Sequence, residues 1–242
     1  MSILVHLFSP FRDIIRGVED IFYPPVCLHC HTLIEQPTEI NGLCSRCLGT
    51  LQPLPTKFIH HTVLQRLHPG YVDELWAAFR FNEVVRSLIH AIKYQRMPGL
   101  GMTTGRFITE RVKKEVVAVE SPLVIPIPLH STRQKEREYN QSQELAKGIF
   151  SDRPGAIHRN LLIRRRYTRS QTRLNREERQ ANVQDAFEVR DRQFLRGKSV
   201  LLVDDVITTG STMNECARML KTSGAARVVG IALATPGKDE QV

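Results

Sequence analysis

The sequence predicts an α/β fold, a parallel sheet flanked by helices, with a small N-terminal four-cysteine module. Two features point there. From about residue 58, short apolar runs alternate with segments at helical spacing, the pattern of parallel strands joined by crossover helices. Before that, two Cys-x-x-Cys pairs lie in a stretch of roughly fifty residues, which has little core of its own. The 242 residues suit one full domain plus a smaller appendage, and the expected division is 1–57 and 58–242.

Residues 3–22 repeat apolar side chains at helical spacing, from Ile3 and Leu4 to Ile21 and Phe22, with Ser9-Pro10 a candidate helix start. Such a stripe can lie on a membrane or a partner, or pack on the chain's own domains. Tyr23-Pro24-Pro25 stops it, because proline lacks the N–H and restricts its predecessor. The cysteine pairs follow, and Pro53 and Pro55 mark a linker. LWAAFRF (75–81) reads as a strand, 83–94 and 103–117 as helices, PLVIPIP (122–128) as a buried strand, and 140–150 as a helix. SVLLVDD (199–205) is the clearest strand, 212–223 a helix ending at Gly224, and RVVGIALA (227–234) a strand. Residues 164–185 are polar, arginine-rich and aperiodic, and read as a long mobile loop.

Hydrophobic residues make up 41% and charged residues 24%, which excludes wholesale disorder. Lys and Arg outnumber Asp and Glu by 34 to 25, a net +9, which suggests an anionic partner such as a phosphate ester or nucleic acid. No apolar run reaches the ~18 residues of a membrane-spanning helix. MSILVHLFSPFRD lacks the basic start and cleavage site of a signal peptide. Five cysteines, four of them in close pairs, fit a reducing, cytoplasmic setting with a metal site rather than a disulfide scaffold.

Cys27, Cys30, Cys44 and Cys47 supply four thiolates, a set that suits tetrahedral structural zinc. A thioredoxin-like redox pair is the competing reading, but it needs only one such pair beside a βαβ unit. His29 and His31 are alternative ligands to a site the cysteines already fill. Cys216 falls within a predicted helix and reads as a buried core thiol.

The stretch from Val200 to Thr212 carries the most chemistry. An apolar strand ends in Asp204 and Asp205. A turn rich in threonine and glycine then leads into a helix. Such a turn points several backbone N–H groups at one spot, and the helix dipole adds partial positive charge. Gly210 allows close backbone approach, and the hydroxyls add donors. This suits a phosphate monoester. The two acids are wrong for that phosphate, but they can accept hydrogen bonds from sugar hydroxyls or face a metal bound to them. The ligand therefore combines phosphate and polyol. A Walker A loop is absent, and a receiver domain would place its acidic pair near its start.

VLLVDDVITTGST resembles the phosphoribosyl-pyrophosphate (PRPP) signature of type I phosphoribosyltransferases. The remaining motifs resemble the ComF family, in order along nearly the whole chain. PPVCLHC…LCSRC is similar to its zinc module, and VVRSLIHAIKYQ to its helix ending in Lys-Tyr. IPIPLHSTRQKEREYNQSQELA is similar to its strand followed by spaced arginines and Asn-Gln, and YTRSQTRLNREERQANVQDAF to its hood loop. The chain departs where the family usually has glycine, at Glu138 and His31, and where it often has tryptophan, at Leu48.

That resemblance implies a type I phosphoribosyltransferase-like sheet that binds PRPP with magnesium. Asp204 and Asp205 would be the catalytic pair on the ribose hydroxyls. Val206, Ile207, Thr208, Thr209, Gly210, Ser211 and Thr212 would form the 5′-phosphate cradle. Lys93, His130, Arg133 and Arg137 would serve the pyrophosphate, with Arg173 in a hood over about 159–187. Read without the family, the arginines are also plain helix charges and Lys93 a surface cation. The run from Arg164 to Arg179 is equally a nucleic-acid surface or a solvated loop. Thr208 stands where purine-salvage relatives carry an aspartate, which argues against 6-oxopurine salvage. The lack of a glutaminase domain argues against glutamine-dependent transfer. The resemblance implies a role in natural transformation and DNA use, with single-stranded DNA or a DNA-uptake helicase as candidate partners. Two functions follow: a phosphoribosyltransferase of unspecified acceptor, or a silent PRPP or nucleotide sensor acting as a DNA- or helicase-binding module.

Overall fold

The computed structural model describes residues 24–55, 59, 63–117, 119, 122–167 and 176–236. The N-terminal apolar stripe and Arg173 lie outside them. The elements are α1 (Ser45–Gly49), β1 (Glu74–Arg80), α2 (Glu83–Tyr94), α3 (Pro98–Val117), β2 (Leu123–Pro126), α4 (Ser131–Arg137) and α5 (Gln141–Ile149). They continue with β3 (Leu162–Arg164), α6 (Arg176–Val183), β4 (Phe187–Val189), α7 (Arg192–Leu195), β5 (Ser199–Val206), α8 (Ser211–Thr222) and β6 (Arg227–Thr235).

β1, β6, β5 and β2 form a parallel sheet of four strands in that order, and β3 pairs antiparallel with β4. β5 is central: Leu202 lies between Ile125 and Gly230. Val200, Leu201, Leu202 and Val203 are fully buried, because a parallel sheet is covered on both faces. Phe79, Leu88, Ile92, Ile108, Leu145 and Leu201 share one apolar cluster with α2, α3 and α5. Leu202, Met213, Cys216 and Leu220 belong to the other, with α8 and the small hairpin, so Cys216 is the core thiol its position suggests.

The cysteine module joins the first cluster. Ile40, Leu43 and Cys47 pack with Phe79, Val85 and Leu88. The proline-marked stretch after it runs antiparallel to β1: Leu54 N–H donates to Ala78 O at 3.1 Å and Arg80 N–H to Gln52 O at 3.0 Å.

Within the tract expected to be a loop, residues 176–183 form α6 instead. The segment has almost no apolar period, and tertiary contacts hold it. Val183 is buried, and just beyond it Asp185 N–H donates to Glu215 Oε1 at 2.7 Å while Arg218 Nη2 reaches Asp185 Oδ1 at 2.5 Å. α3 also starts at Pro98, one turn earlier than its apolar spacing indicates.

α3 and α5 cross on bare glycine. A Cβ at Gly148 would sit 2.2 Å from Met102 O and 2.7 Å from Gly105 Cα, both rigid backbone atoms. Gly148→Ala is therefore expected to force the helices apart and cost about 1–3 kcal/mol or more in urea unfolding. Gly99→Ala, on α3 with nothing within 4 Å, is expected to be neutral or slightly stabilising. Equal stabilities for the two variants would contradict this packing.

Candidate functional site

A cavity of about 420 Å³ opens at the C-terminal ends of β5 and β2, the edge where ligands of open parallel sheets bind. The end of β5 and the turn after it contribute Asp204 through Met213, and the end of β2 contributes Ile127, Pro128 and Leu129. α4 brings Arg133 and Arg137, α5 Gln141 and β3 Arg164. α2 lends one face: Arg86, Ile89, His90, Lys93 and Tyr94. The structure thus gathers Asp204, Asp205, Val206 through Thr212, Lys93, Arg133 and Arg137 in one place. His130 is not among the lining residues; its Nδ1 accepts from Thr132 N–H at the start of α4, and its ring lies 5.3 Å from that of Tyr167.

The turn into α8 is built to leave amides open. Gly210 takes a left-handed φ of 78°, and a Cβ there would meet Val63 Cγ1 at 2.8 Å. As N-cap it offers no side chain of its own; Thr209 Oγ1 accepts from Ser211 N–H at 3.4 Å, a long bond that an anion can replace, and the dipole there favours an anion. Thr209 Oγ1 and Ser211 Oγ are 2.8 Å apart beside those amides. Ile207 is pinned at both ends, its N–H on Ala234 O at 3.0 Å and its carbonyl accepting from Thr235 Oγ1 at 2.6 Å.

The acids are fixed one by one. Asp204 Oδ1 accepts from Ser142 Oγ and from Asp205 N–H, both at 2.9 Å. Asp205 Oδ1 accepts from Val206 N–H at 3.0 Å, and its Oδ2 forms an ion pair with Lys93 Nζ. Burial, and then the neighbouring charge of Asp205, push the Asp204 carboxyl up to about 7, while Lys93 and Ser142 pull the other way. Ser142 is positioned by Asn140, which caps α5 by accepting from Ser142 N–H at 2.9 Å and donates to Ile127 O at 2.9 Å.

At the rim, Arg137 Nη1 donates to Gln141 Oε1 at 3.1 Å, and its guanidinium lies 5.2 Å from the Tyr94 ring. Arg133 lies 5.8 Å from the Tyr167 ring. Both tyrosines are exposed, at 62% and 50%. Arg164 sits 5.2 Å from the Phe187 ring, where burial lowers its pKa without discharging it. Sequence reasoning missed the roles of Arg86, His90, Tyr94, Gln141 and Ser142, while Arg164, first of the arginine run, does line the cavity. The signal available was that α2 carries polar residues on a regular stripe, which reads equally as a solvated face.

The four cysteine Sγ atoms lie within 4.8 Å of one another, and those of Cys30 and Cys44 are 3.7 Å apart. Zn–S bonds of about 2.3 Å in a tetrahedron put sulfurs about 3.8 Å apart, so the set fits a metal such as zinc. In the first knuckle Cys27 N–H donates to Thr32 O and His31 N–H to Cys27 O, both at 2.9 Å, with His31 at a left-handed φ of 59°. Hydrogen bonds from Thr32 bring the Cys30 thiol down to about 5, and burial pushes the Cys47 thiol up.

The phosphoribosyl transferase domain family matches residues 126–241. Competence protein F of Haemophilus influenzae is 29% identical over 218 residues, covering 84% of this chain and 93% of that protein. DNA utilization protein YhgH of Salmonella typhi is 31% identical over 144 residues, 58% of this chain and 63% of that one. Competence protein ComFC of Streptococcus pneumoniae is 26% identical over 200 residues, 83% of both chains.

The raised Asp204 carboxyl sets a pH dependence. The folded state holds this proton where the unfolded chain has lost it. Its stabilising contribution is therefore complete below the ordinary carboxylate range and fades as pH rises through about 7. Asp204→Asn mimics the protonated form. The variant is expected to exceed the parent's thermal stability by a smaller margin at about pH 5 and a larger one at about pH 8, the two converging only below the ordinary carboxylate range. A gap that is the same at both values, or reversed, would contradict the assignment.

Proposed function

The chain is a ComF-type phosphoribosyltransferase-like protein, and from that premise we propose that its cavity binds PRPP with magnesium for phosphoribosyl transfer in DNA use. One observation carries this reading: a helix N-terminus with glycine at its N-cap and a strand-end acidic pair share one cavity. Phosphate and polyol recognition are thus within reach of a single ligand.

In this reading the amides of α8, with the hydroxyls of Thr208, Thr209, Ser211 and Thr212, take the 5′-phosphate. Asp204 and Asp205 accept from the ribose hydroxyls, and they are also the groups that would hold the magnesium. The chemistry it would supply there is neutralisation of charge on the departing diphosphate. Arg133 and Arg137 add planar donors for diphosphate oxygens. The relatives' names in competence and DNA utilization support a role in DNA handling, and a four-cysteine metal set suits a cytoplasmic setting. Isothermal calorimetry tests the reading. The double change Asp204→Asn, Asp205→Asn should weaken PRPP binding by about 1–3 kcal/mol per charged hydrogen bond lost. Unchanged affinity would refute it.

Zinc in the cysteine cluster belongs to the same reading. Metal analysis of protein purified without chelators is expected to find one zinc per chain. Cys44→Ser is expected to lose that zinc and to lower the melting temperature, because Ile40, Leu43 and Cys47 then slacken against Phe79 and Leu88. A full complement of zinc in the variant would rule out this ligand set.

A binding-module reading is favoured by the rim. Exposed Tyr94 and Tyr167 each lie near an arginine of α4, the pairing of ring and cation that holds single-stranded nucleic acid. Fluorescence anisotropy should then show weak, sequence-independent binding of a single-stranded oligonucleotide. Its salt slope would be near −0.7 per phosphate contacted. Saturating magnesium–PRPP should compete, because the arginines cannot serve both ligands. Absence of binding at low salt would remove this reading.

A further inference from the structure

Asp205 Oδ2 is held by Lys93 Nζ, with the aspartate side chain 8% exposed and the lysine 21%. If PRPP and magnesium bind as proposed above, they need that same oxygen. The ammonium takes one lone pair of that oxygen and holds its positive charge beside the place a bare divalent ion would occupy, so ion and lysine oppose one another at this atom. Lys93 stands in the last turn of α2, on a flexible four-carbon stem, so its head can move while the helix stays put. It lines the same cavity as Arg133 and Arg137.

Where the displaced ammonium goes decides when exchange is possible. A divalent ion arriving alone would have to drive Lys93 into a cavity already edged by guanidinium groups, setting cation beside cation. A divalent ion arriving on a diphosphate brings phosphate oxygens with it, and the displaced ammonium has an anion to land on. We propose that Lys93 is the internal counter-ion of the acidic pair in the free protein, and that it passes to the diphosphate when PRPP binds. Magnesium is therefore admitted only together with its phosphoribosyl ligand. Lys93 is thus a positioning residue that sets the order of binding. The inference rests on the PRPP reading, but its first test uses no PRPP.

That test titrates the zinc-loaded full chain with manganese(II) alone, read by electron paramagnetic resonance. The parent is expected to bind little of it. Lys93→Gln should gain affinity by about tenfold or more, and Lys93→Arg, which keeps a cation on Asp205, should behave as the parent. A Lys93→Gln variant with no gain, or a Lys93→Arg variant that gains equally, overturns the proposal. A second arm stands even if Lys93→Gln folds poorly by near-ultraviolet circular dichroism. Asp205→Asn frees the lysine and should tighten inorganic diphosphate measured without metal, whereas Asp205→Asn with Lys93→Met should not. A gain that survives loss of the lysine also overturns it. If the manganese gain occurs but no form binds PRPP, the counter-ion role of Lys93 stands, while the PRPP reading and the transfer to its diphosphate fall. If the parent binds magnesium–PRPP and no gain occurs, the gating alone falls.

Discussion

The cavity depends on β5 being clamped between two parallel neighbours. A strand paired on both sides and covered on both faces can carry polar groups only where pairing ends. In β5 the pairing with β2 ends at Val203 while that with β6 runs on to Val206, so Asp204 and Asp205 stand where one neighbour has dropped away, just past the fully buried run from Val200 to Val203. The turn that follows is fixed by Ala234 and Thr235 of β6 through their bonds to Ile207. α8 must therefore begin where it does, and its open amides face the space beyond the acids. Sheet pairing, rather than any bond within the turn, places phosphate-type and sugar-type recognition side by side.

That placement concentrates like charge, and the fold answers it unevenly. Asp205 is matched by Lys93. Asp204 has a hydroxyl and a backbone amide as partners, and its carboxyl rises to about 7. One member of the pair lies against a cation, and the other, buried beside it, has its carboxyl raised. A cavity arranged this way is stable without a ligand and becomes more anionic when a cation arrives. Binding energy from such a ligand is then spent partly on ionising Asp204, which favours ligands that bring positive charge to the acids and negative charge to the rim.

The main elements of this arrangement were legible in the sequence because they rest on strong local signals. β5 is a continuous apolar run. The turn to α8 is all threonine, glycine and serine, and α2 spans the 83–94 that its periodicity indicates. The two departures from family glycine, His31 and Glu138, both fall on left-handed backbone, at φ of 59° and 67°, where glycine is the unstrained choice. What stayed hidden depended on distant packing. Arg86 and His90 form a polar helix stripe, and sequence cannot say whether such a stripe meets water or a cavity. Ser142 touches Asp204 across 62 positions of chain. α6 is polar but for Ala181 and Val183, and becomes helical where Val183 is buried and Asp185 is tied to Glu215 and Arg218 of α8.

The cysteine module and the cavity share α2, and this ties the two ends of the molecule into one mechanical unit. The buried face of that helix, Val85, Leu88 and Ile92, packs in the cluster that contains Ile40, Leu43 and Cys47. His29 Nδ1 lies 3.1 Å from Ser87 Oγ on the same helix. The hydroxyl of Tyr139, between α4 and α5, donates to Ile92 O. The remaining face presents Arg86, His90, Lys93 and Tyr94 to the cavity. A helix of twelve residues has little rigidity of its own, so the position of Lys93 over Asp205 is set by what grips the opposite side. The module, with hardly any core apart from what it lends to α2 and β1, acts as the back plate against which the cationic wall of the site is held.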